Sequence, residues 1–344
     1  MVTKSAVTDS TPAHAAVSFL GPMPGISSQE AALVVAGECA QAPCVPLLAQ
    51  RGPSAHPVGR MSGILNSVSS DFCVSAVPSG WRLTGGVSND TTRAQSYLSE
   101  DLDAMEENLN GFSGFLTLSI IGPISWGAAV EEMGGEKLIR DHGALRELSI
   151  ATAQAVAILT ENMAKRFPRA KMRLQIDEPL VMDVTQGMVP TASGLRTYVA
   201  LDRQFVMSLW NPLFELARDS QWKFGVNATA GSVPLSDEYV SLLQSSQANV
   251  FYDPRKSGLL GDLVDSGVDT YWFKSSSLDS RRAALDIAAL LESLGFSIAE
   301  VRGRMLIVPE NAFMTGAWPE ARNALTAAKG TIDLLNDEDR LLAT

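Results

Sequence analysis

Short apolar runs alternate with amphipathic segments along most of the chain, and this alternation is the main indication of its fold. Eight of the runs have the length and composition of buried strands. They are AVSFLG near residue 16, WRLTG at 81, GFLTLSIIG at 114, MRLQID at 172, WKFGVNA at 222, NVFYD at 249, VDTYWFK at 268 and RMLIVPE at 304. Most are continuous apolar runs, which is typical of parallel strands covered on both faces.

Helical patterns separate these runs. One apolar stripe at helical spacing consists of Leu98, Leu102, Met105 and Leu109. Residues 144–167 predict a long helix that ends before Pro168, because the residue before a proline disfavours helical backbone. A second stripe consists of Ile287, Leu291 and Leu294, and Gly295 follows it as a helix C-terminal signal. Ser27 and Glu30 form a candidate capping box.

Eight strands that alternate with helices predict either a closed (β/α)8 TIM barrel or a doubly wound α/β sheet. Neither a G-x-G-x-x-G nor a G-x-x-x-x-G-K-[ST] motif follows any of the strands, which disfavours the nucleotide-binding sheet. We therefore expect one barrel domain over residues 15–344. Residues 1–14 are small, polar and without periodicity, which predicts a flexible N-terminal segment.

Composition limits the partners of this chain of 344 residues. A formal net charge of −11 and the lack of Lys and Arg clusters argue against binding to nucleic acid or to an anionic membrane. We find neither a signal peptide nor a spanning helix, so we expect a cytoplasmic protein. The three cysteines, Cys39, Cys44 and Cys73, are sparse and odd in number, which predicts reduced, buried thiols. The oligomeric state is left open.

Polar residues follow the ends of the predicted strands. Asp177 and Glu178 end the fourth run, inside the sequence KMRLQIDEPLV. Six of the other seven strands end at Gly21-Pro22, Gly122-Pro123 with Trp126, Asn227 and Thr229, Asp253, Lys274, and Asn311. Each of these residues could simply terminate a strand, and Trp126 could belong to the core. In a barrel, however, all the carboxyl ends of the strands meet at one mouth, which predicts a small-molecule ligand site there.

Several longer motifs are spread along the chain, some of them at these strand ends. They are FLGPMPG, ARGPSAHPVGR, PSGWRL, IIGPISW, LQIDEPLV, VPTASGL and VPENAFMTG. At these motifs the chain resembles the catalytic domain of cobalamin-independent methionine synthase, in the superfamily that also contains uroporphyrinogen decarboxylase. It is most similar to the short, single-barrel actinobacterial relatives. The resemblance covers nearly the whole chain after the N-terminal segment.

The resemblance implies a (β/α)8 barrel whose mouth binds homocysteine, a methylfolate donor and one zinc ion. Zinc binds the substrate sulfur as a thiolate, which is the nucleophile for methyl transfer. The family's zinc ligands are a His-x-Cys pair after the fifth strand, a carboxylate after the sixth and a cysteine after the eighth. By the same resemblance, Asp177 holds the amino group of the substrate.

The sequence departs from the family at these ligand positions. Asn227 and Thr229 replace the His-x-Cys pair, Asn311 replaces the last cysteine, and Asp253 alone keeps its charge. Neutral amide and hydroxyl oxygens do not make a tight zinc site. We therefore expect no tightly bound cofactor, although a folate is compatible with the family.

Gly21-Pro22 stands where the family has Gly-Ser, and Pro53 and His56-Pro57 replace a family acidic residue and an Asp-Met pair. Three functions remain open. The first is methyl transfer from a methylfolate-type donor to a thiol. The second is a metal-independent reaction of the decarboxylase or lyase type, with charges supplied by Asp177, Glu178, Asp253, Lys274 and Arg255. The third is non-catalytic binding of a small metabolite or of another protein.

Overall fold

Parallel strands and the helices that connect them make up most of the described chain. The computed structural model describes residues 14–219, 223–227, 249–251, 271–275, 277–310 and 314–342. The strands are β1 Ala16–Val17, β2 Val74–Val77, β3 Gly80–Leu83, β4 Phe115–Ile121, β5 Val130–Glu131, β6 Lys171–Asp177, β7 Lys223–Asn227, β8 Asn249–Phe251, β9 Tyr271–Ser275 and β10 Met305–Pro309. The predicted flexible segment lies, apart from residue 14, outside the described residues.

Helices follow most of the strands. They are α1 Ser28–Glu38, α2 Pro57–Leu65, α3 Asn89–Asn108, α4 Pro123–Ala129, α5 His142–Arg166, α6 Val181–Gln186, α7 Arg203–Ser208, α8 Asn211–Asp219, α9 Ser280–Ser293, α10 Ile298–Val301, α11 Trp318–Asn336 and α12 Glu338–Leu342. None of the helices in the described part of the chain has the length and apolar character needed to cross a membrane.

The strands form two parallel sheets and one small mixed sheet. One parallel sheet has the order β4-β6-β7-β8, and the other has the order β1-β10-β9. Strands β2 and β3 form an antiparallel hairpin, and β3 also pairs in parallel with β5. The fold is therefore mixed α/β, as the alternating pattern predicts.

Residues 43–47 connect the two parallel sheets on one side. The backbone N–H of Val45 donates to the carbonyl of Thr117 in β4 at 2.8 Å. On the other side, the N–H of Leu47 donates to the carbonyl of Gly21, just after β1, at 2.6 Å. Strands β8 and β9 lie near each other. Within the described residues, however, they are not hydrogen-bonded as neighbouring strands, so the two sheets are not joined there.

The second predicted strand exists, but its predicted place in the parallel sheet was wrong. WRLTG does contain a strand, β3, but this strand belongs to the small hairpin sheet and not to either parallel sheet. The place between β1 and β4 is taken by residues 43–47. This segment contains Pro43 and Pro46, which lack the N–H needed for a continuous ladder, so it forms isolated bridges instead of a long strand.

A buried ion cluster holds residues 43–47 in place. Both oxygens of Asp101 on α3 are bound: Oδ1 accepts from Arg51 at 2.6 Å and Oδ2 from Arg60 at 2.9 Å. Arg60 also donates to the carbonyl of Pro46 at 2.6 Å. All three charged side chains are almost completely buried. The cluster therefore ties the connecting segment to helices α2 and α3.

The predicted helices are confirmed. The stripe from Leu98 to Leu109 is buried along and just after α3. Helix α5 spans most of the predicted long helix and ends at Arg166. Helix α9 is followed by Gly295 at a φ of 83°, which a residue with a side chain rarely adopts. Of the predicted capping box only one half forms: the hydroxyl of Ser27 accepts from the N–H of Glu30, while the carboxylate of Glu30 pairs with Arg322.

The parallel strands bury two chemically different faces. Alternate residues of β4 and β6, such as Leu118 and Leu174, pack in the main hydrophobic core. The opposite face carries polar side chains, including Ser119 and Gln175, which are also buried. The alternation follows from the period of two along a strand. Polar groups are therefore concentrated on the strand face turned away from the main core.

Candidate functional site

The ends of β6 and β7 bring two predicted site residues together. Asp177 lies opposite Ile121 of β4 on one side and Asn227 of β7 on the other. The side-chain amide of Asn227 donates from Nδ2 to Oδ1 of Asp177 at 2.6 Å. The structure therefore places Asp177 and Asn227 side by side at one end of the sheet.

Gln175 is a second amide that holds the same carboxylate oxygen. It lies two residues before Asp177, on the same face of β6, and its Nε2 donates to Oδ1 of Asp177 at 2.7 Å. The same nitrogen lies 3.5 Å from the carbonyl of Leu20, just after β1. Residues 43–47 and β4 lie between β1 and β6 in the strand order, so this contact reaches past two intervening segments.

Oδ2 of Asp177 accepts no hydrogen bond from the described residues. The amides of Gln175 and Asn227 both reach Oδ1, and no other donor among the described residues reaches the carboxylate. The side chain is half-buried. Burial raises the pKa of Asp177 to about 7, the two amide donors lower it, and the charge of Glu178 raises it. The site therefore holds a carboxylate that changes its protonation state near neutral pH.

Glu178 occupies the opposite side of the strand end and has a structural role. Its Oε1 accepts from the N–H of Ile124 at 3.2 Å and from Nε1 of Trp210 at 3.0 Å. Its Oε2 accepts from the N–H of Ser125 at 2.7 Å. Burial raises the pKa of Glu178, and these donors oppose the rise. The side chain is fully buried, so it joins the start of α4 to the loop of Trp210 and offers no surface to a ligand.

Gly122 is required by the carboxylate of Glu178. A Cβ at residue 122 would lie 2.1 Å from Oε1 of Glu178 and 2.7 Å from a methyl group of Ile176. We expect Gly122→Ala to lower the free energy of unfolding by about 1–3 kcal/mol, since a well-packed interior accommodates an added methyl group only by shifting. Gly134→Ala is the control, because a Cβ there meets nothing within 4 Å. Equal denaturation midpoints for the two variants would contradict this packing.

Trp126 is a core residue in this structure. Its ring is fully buried, packs edge-on against Phe72 at a centroid distance of 6.2 Å, and donates from Nε1 to the carbonyl of Val58 at 3.2 Å. No face of the indole is left for stacking on a ligand. The sequence-based proposal of a substrate contact at Trp126 is therefore replaced by the core interpretation.

Gly21 lies at the same end of the strands as Asp177. Its φ is 105°, and a Cβ there would lie 2.5 Å from Oγ of Ser119 in β4. Only glycine combines this backbone conformation with such a close approach. Gly21 therefore brings its backbone directly against the side chain of Ser119.

The remaining predicted site residues are only partly described. Thr229, Asp253 and Asn311 lie outside the described residues. Lys274 is in β9, opposite Val308 of β10, and its backbone position is all that is described. Their place in a shared site stays a prediction.

Within the described part of the chain, the side chains near Asp177 do not form a metal site. Asn227, which the sequence resemblance placed at a zinc-ligand position, donates from its amide nitrogen to Asp177. The described residues contain no group of three or more His, Cys, Asp or Glu side chains that could hold a metal ion. All three cysteines are free, as predicted, and burial raises the pKa of Cys39 to about 12 and that of Cys44 further still. Such thiols stay protonated and are poor metal ligands.

Two residues of this region were missed in the sequence. Gln175 could have been found, because a residue two positions before a strand-end carboxylate shares its face. Trp210 could not, because its contact with Glu178 joins residues 32 positions apart in the chain through a loop of unpredictable path.

A separate groove lies at the opposite ends of the strands. It has a volume of about 880 Å³ and is bordered by residues 109–112, before β4, and 165–169, before β6. Arg166 crosses it and pairs with Asp103 and Glu106 of α3. These three charged groups of the groove are already paired with each other. A charged ligand would therefore find fewer unpaired partners here than at the Asp177 end of the strands.

Comparison with known proteins supports the fold. No family model matches the chain, and no curated protein is significantly similar to it in sequence. Among solved structures, it is similar to a B12-independent methionine synthase from Shewanella sp. W3-18-1, in complex with selenomethionine, with a TM-score of 0.56 and 11% sequence identity. The match covers 96% of this chain and 100% of that one. The chain is thus distantly similar in structure to B12-independent methionine synthase, and at this identity the likeness concerns the fold alone.

Proposed function

We propose that this chain is a methionine-synthase-like barrel protein that binds an amino-acid ligand at Asp177 without zinc. In this proposal the two parallel sheets belong to one closed (β/α)8 barrel. Its strand order is β1, residues 43–47, β4, β6, β7, β8, β9 and β10, which makes eight strands in chain order. The bridges of residues 43–47 to both neighbours and the distant likeness to methionine synthase support this closure.

The observation that carries the binding proposal is the state of Asp177. A half-buried carboxylate with one oxygen held and the other open has a desolvation cost that a cationic ligand group can offset. A primary ammonium suits this site, because it brings both the positive charge and a hydrogen-bond donor. The α-amino group of a sulfur amino acid is our proposed ligand group, by analogy with the selenomethionine named for the similar structure.

Calorimetric titration tests the binding proposal. We expect L-methionine or L-homocysteine to bind, and N-acetyl-L-methionine, which lacks the ammonium, to bind much more weakly. Affinity for L-methionine should rise between pH 6 and pH 8, because Asp177 loses its proton in that range. The amine of a free amino acid is more basic than a peptide N-terminus and stays mostly protonated over the same range. Equal affinities for the two methionine compounds would contradict the proposal.

Zinc-dependent methyl transfer is not expected. Protein purified without a chelator should contain far less than one zinc ion per chain, because neutral amides and hydroxyls bind zinc weakly. Without a metal, a thiol with a pKa of about 8.5 remains mostly protonated at neutral pH, so homocysteine should not be methylated by methylfolate. Protein mixed with excess zinc and then desalted is the control and should return to the metal-free state. One zinc per chain together with turnover would overturn this expectation.

Metal-independent acid–base chemistry is the second candidate, and one observation favours it. The pKa of Asp177 at about 7 lies where a general acid or base works best at neutral pH. Proton NMR of L-methionine and L-homocysteine incubated with the protein in D2O would detect decarboxylation, elimination or α-proton exchange. Such a reaction should disappear in Asp177→Asn. If both amino acids stay unchanged over a long incubation, the catalytic candidate is rejected and only the binding proposal remains.

A further inference from the structure

Two side-chain amides donate hydrogen bonds to the same oxygen of Asp177. Gln175 and Asn227 come from neighbouring strands and donate to the same Oδ1, at 2.7 and 2.6 Å. Two donors on one oxygen fix the rotation of a carboxylate, since turning it would break both hydrogen bonds. They also stabilise the ionised form, because a charged acceptor forms the stronger hydrogen bonds.

The two amides are themselves held in position. Gln175 is fully buried, its Nε2 also lies 3.5 Å from the carbonyl of Leu20, and Asn227 is 3% exposed. Both lie in paired strands, where Gln175 is opposite Gly225 and Asn227 is opposite Asp177. Groups fixed in this way orient a third group with little loss of conformational entropy on ligand binding.

We propose that Gln175 and Asn227 are positioning residues, which hold Oδ1 of Asp177 and reserve Oδ2 as the single oxygen offered to a ligand. This inference rests on the proposed function for the identity of the ligand, but the positioning itself does not depend on it. A single offered oxygen suits a rotatable ammonium. It suits a planar guanidinium less well, because that group gains most from two parallel hydrogen bonds to both oxygens.

Few other charged groups face Asp177 among the described residues. Glu178 is adjacent in sequence, and Cys44 approaches from residues 43–47 as a protonated thiol. On the same face of the sheet, Arg173 and Lys223 lie at the far ends of β6 and β7. The facing positions of β4, Thr117 and Ser119, do not titrate. The amides are therefore the main local groups that favour the ionised form.

The test measures the titration of Asp177 without a ligand. We would follow its carboxyl carbon by carbon-13 NMR and assign the signal by its loss in Asp177→Asn. Gln175→Met and Asn227→Leu keep the side-chain volume and remove the donor. Each should move the titration midpoint to higher pH than in the wild type, and the double variant should move it further. Gln175→Ala and Asn227→Ala should act in the same direction if either larger variant does not fold.

The matched control removes a buried hydrogen bond elsewhere. Ser149→Ala deletes the hydroxyl that donates to the carbonyl of Leu209, and it should lower stability without moving the Asp177 midpoint. Midpoints in the amide variants equal to that of the wild type, or moved equally by Ser149→Ala, would overturn the positioning role.

Ligand binding separates this inference from the proposed function. With L-methionine as the probe at pH 8, each amide variant should bind roughly tenfold more weakly than the wild type. Shifted midpoints in a protein that does not bind L-methionine would refute the proposed ligand and leave the positioning role intact. Unshifted midpoints together with L-methionine binding would refute the positioning role only.

Discussion

Glu178→Gln is expected to lower the free energy of unfolding by about 3 kcal/mol, the largest stability effect we foresee for an isosteric change. Three donors, from Ile124, Ser125 and Trp210, converge on the two oxygens of Glu178. Glutamine has one oxygen and one NH2 group, so at least one donor must face another donor. The site is fully buried, and water does not replace the lost acceptor.

Chemical denaturation measures this effect, with Glu161→Gln on the exposed face of α5 as the control. The control should change stability by no more than about 0.5 kcal/mol, as exposed substitutions usually do. If Glu178→Gln were as mild as the control, the carboxylate would not be the link between α4 and Trp210. If Glu178→Gln instead lost L-methionine binding strongly and kept normal stability, Glu178 would have to be a ligand-binding residue.

Asp177→Asn is expected to separate binding from stability. It should weaken L-methionine binding at pH 8 roughly 10- to 100-fold, because a charge-assisted hydrogen bond to the ammonium is lost. Stability should not collapse, since the amide oxygen of asparagine can still accept from Gln175 and Asn227.

The pH dependence of stability gives this prediction a definite sign. The folded-state pKa of Asp177, about 7, lies above its unfolded value near 4, so the folded state binds more protons between these two values. The stabilisation from Asp177 is therefore complete below about pH 4 and is lost as the pH rises through 7. Asp177→Asn lacks this loss and should be more stable than the wild type at pH 8. A variant less stable than the wild type at pH 8, with unchanged L-methionine binding, would favour a purely structural role for Asp177.

Much of the helical layer could be predicted from local patterns, because an apolar stripe at helical spacing identifies the face that packs on the sheet. The stripe from Leu98 to Leu109 on α3 shows this directly. Strands β4 and β6 could also be predicted, since long apolar runs bounded by glycine or by charges have few alternatives. The segment between β1 and β4 could not be predicted as a strand, because Pro43 and Pro46 make residues 43–47 resemble a loop in the sequence.

The candidate site shows where sequence reasoning stops. Asp177 and Glu178 look like a single acidic pair in the sequence, but neighbouring residues of a strand point to opposite faces. One carboxylate therefore meets the polar interior and the other meets α4. The pattern predicts this separation only if the strand continues to Asp177, which depends on its registered pairing with Asn227. Long-range partners such as Trp210 depend on tertiary packing and have no local signal.

A crystal structure of the protein with L-methionine tests the central claim most directly. We predict the ligand nitrogen within hydrogen-bonding distance of Oδ2 of Asp177, at the carboxyl ends of β6 and β7, with no zinc ion beside it. L-methionine bound elsewhere, or held through a metal ion with its nitrogen away from Asp177, would contradict the account.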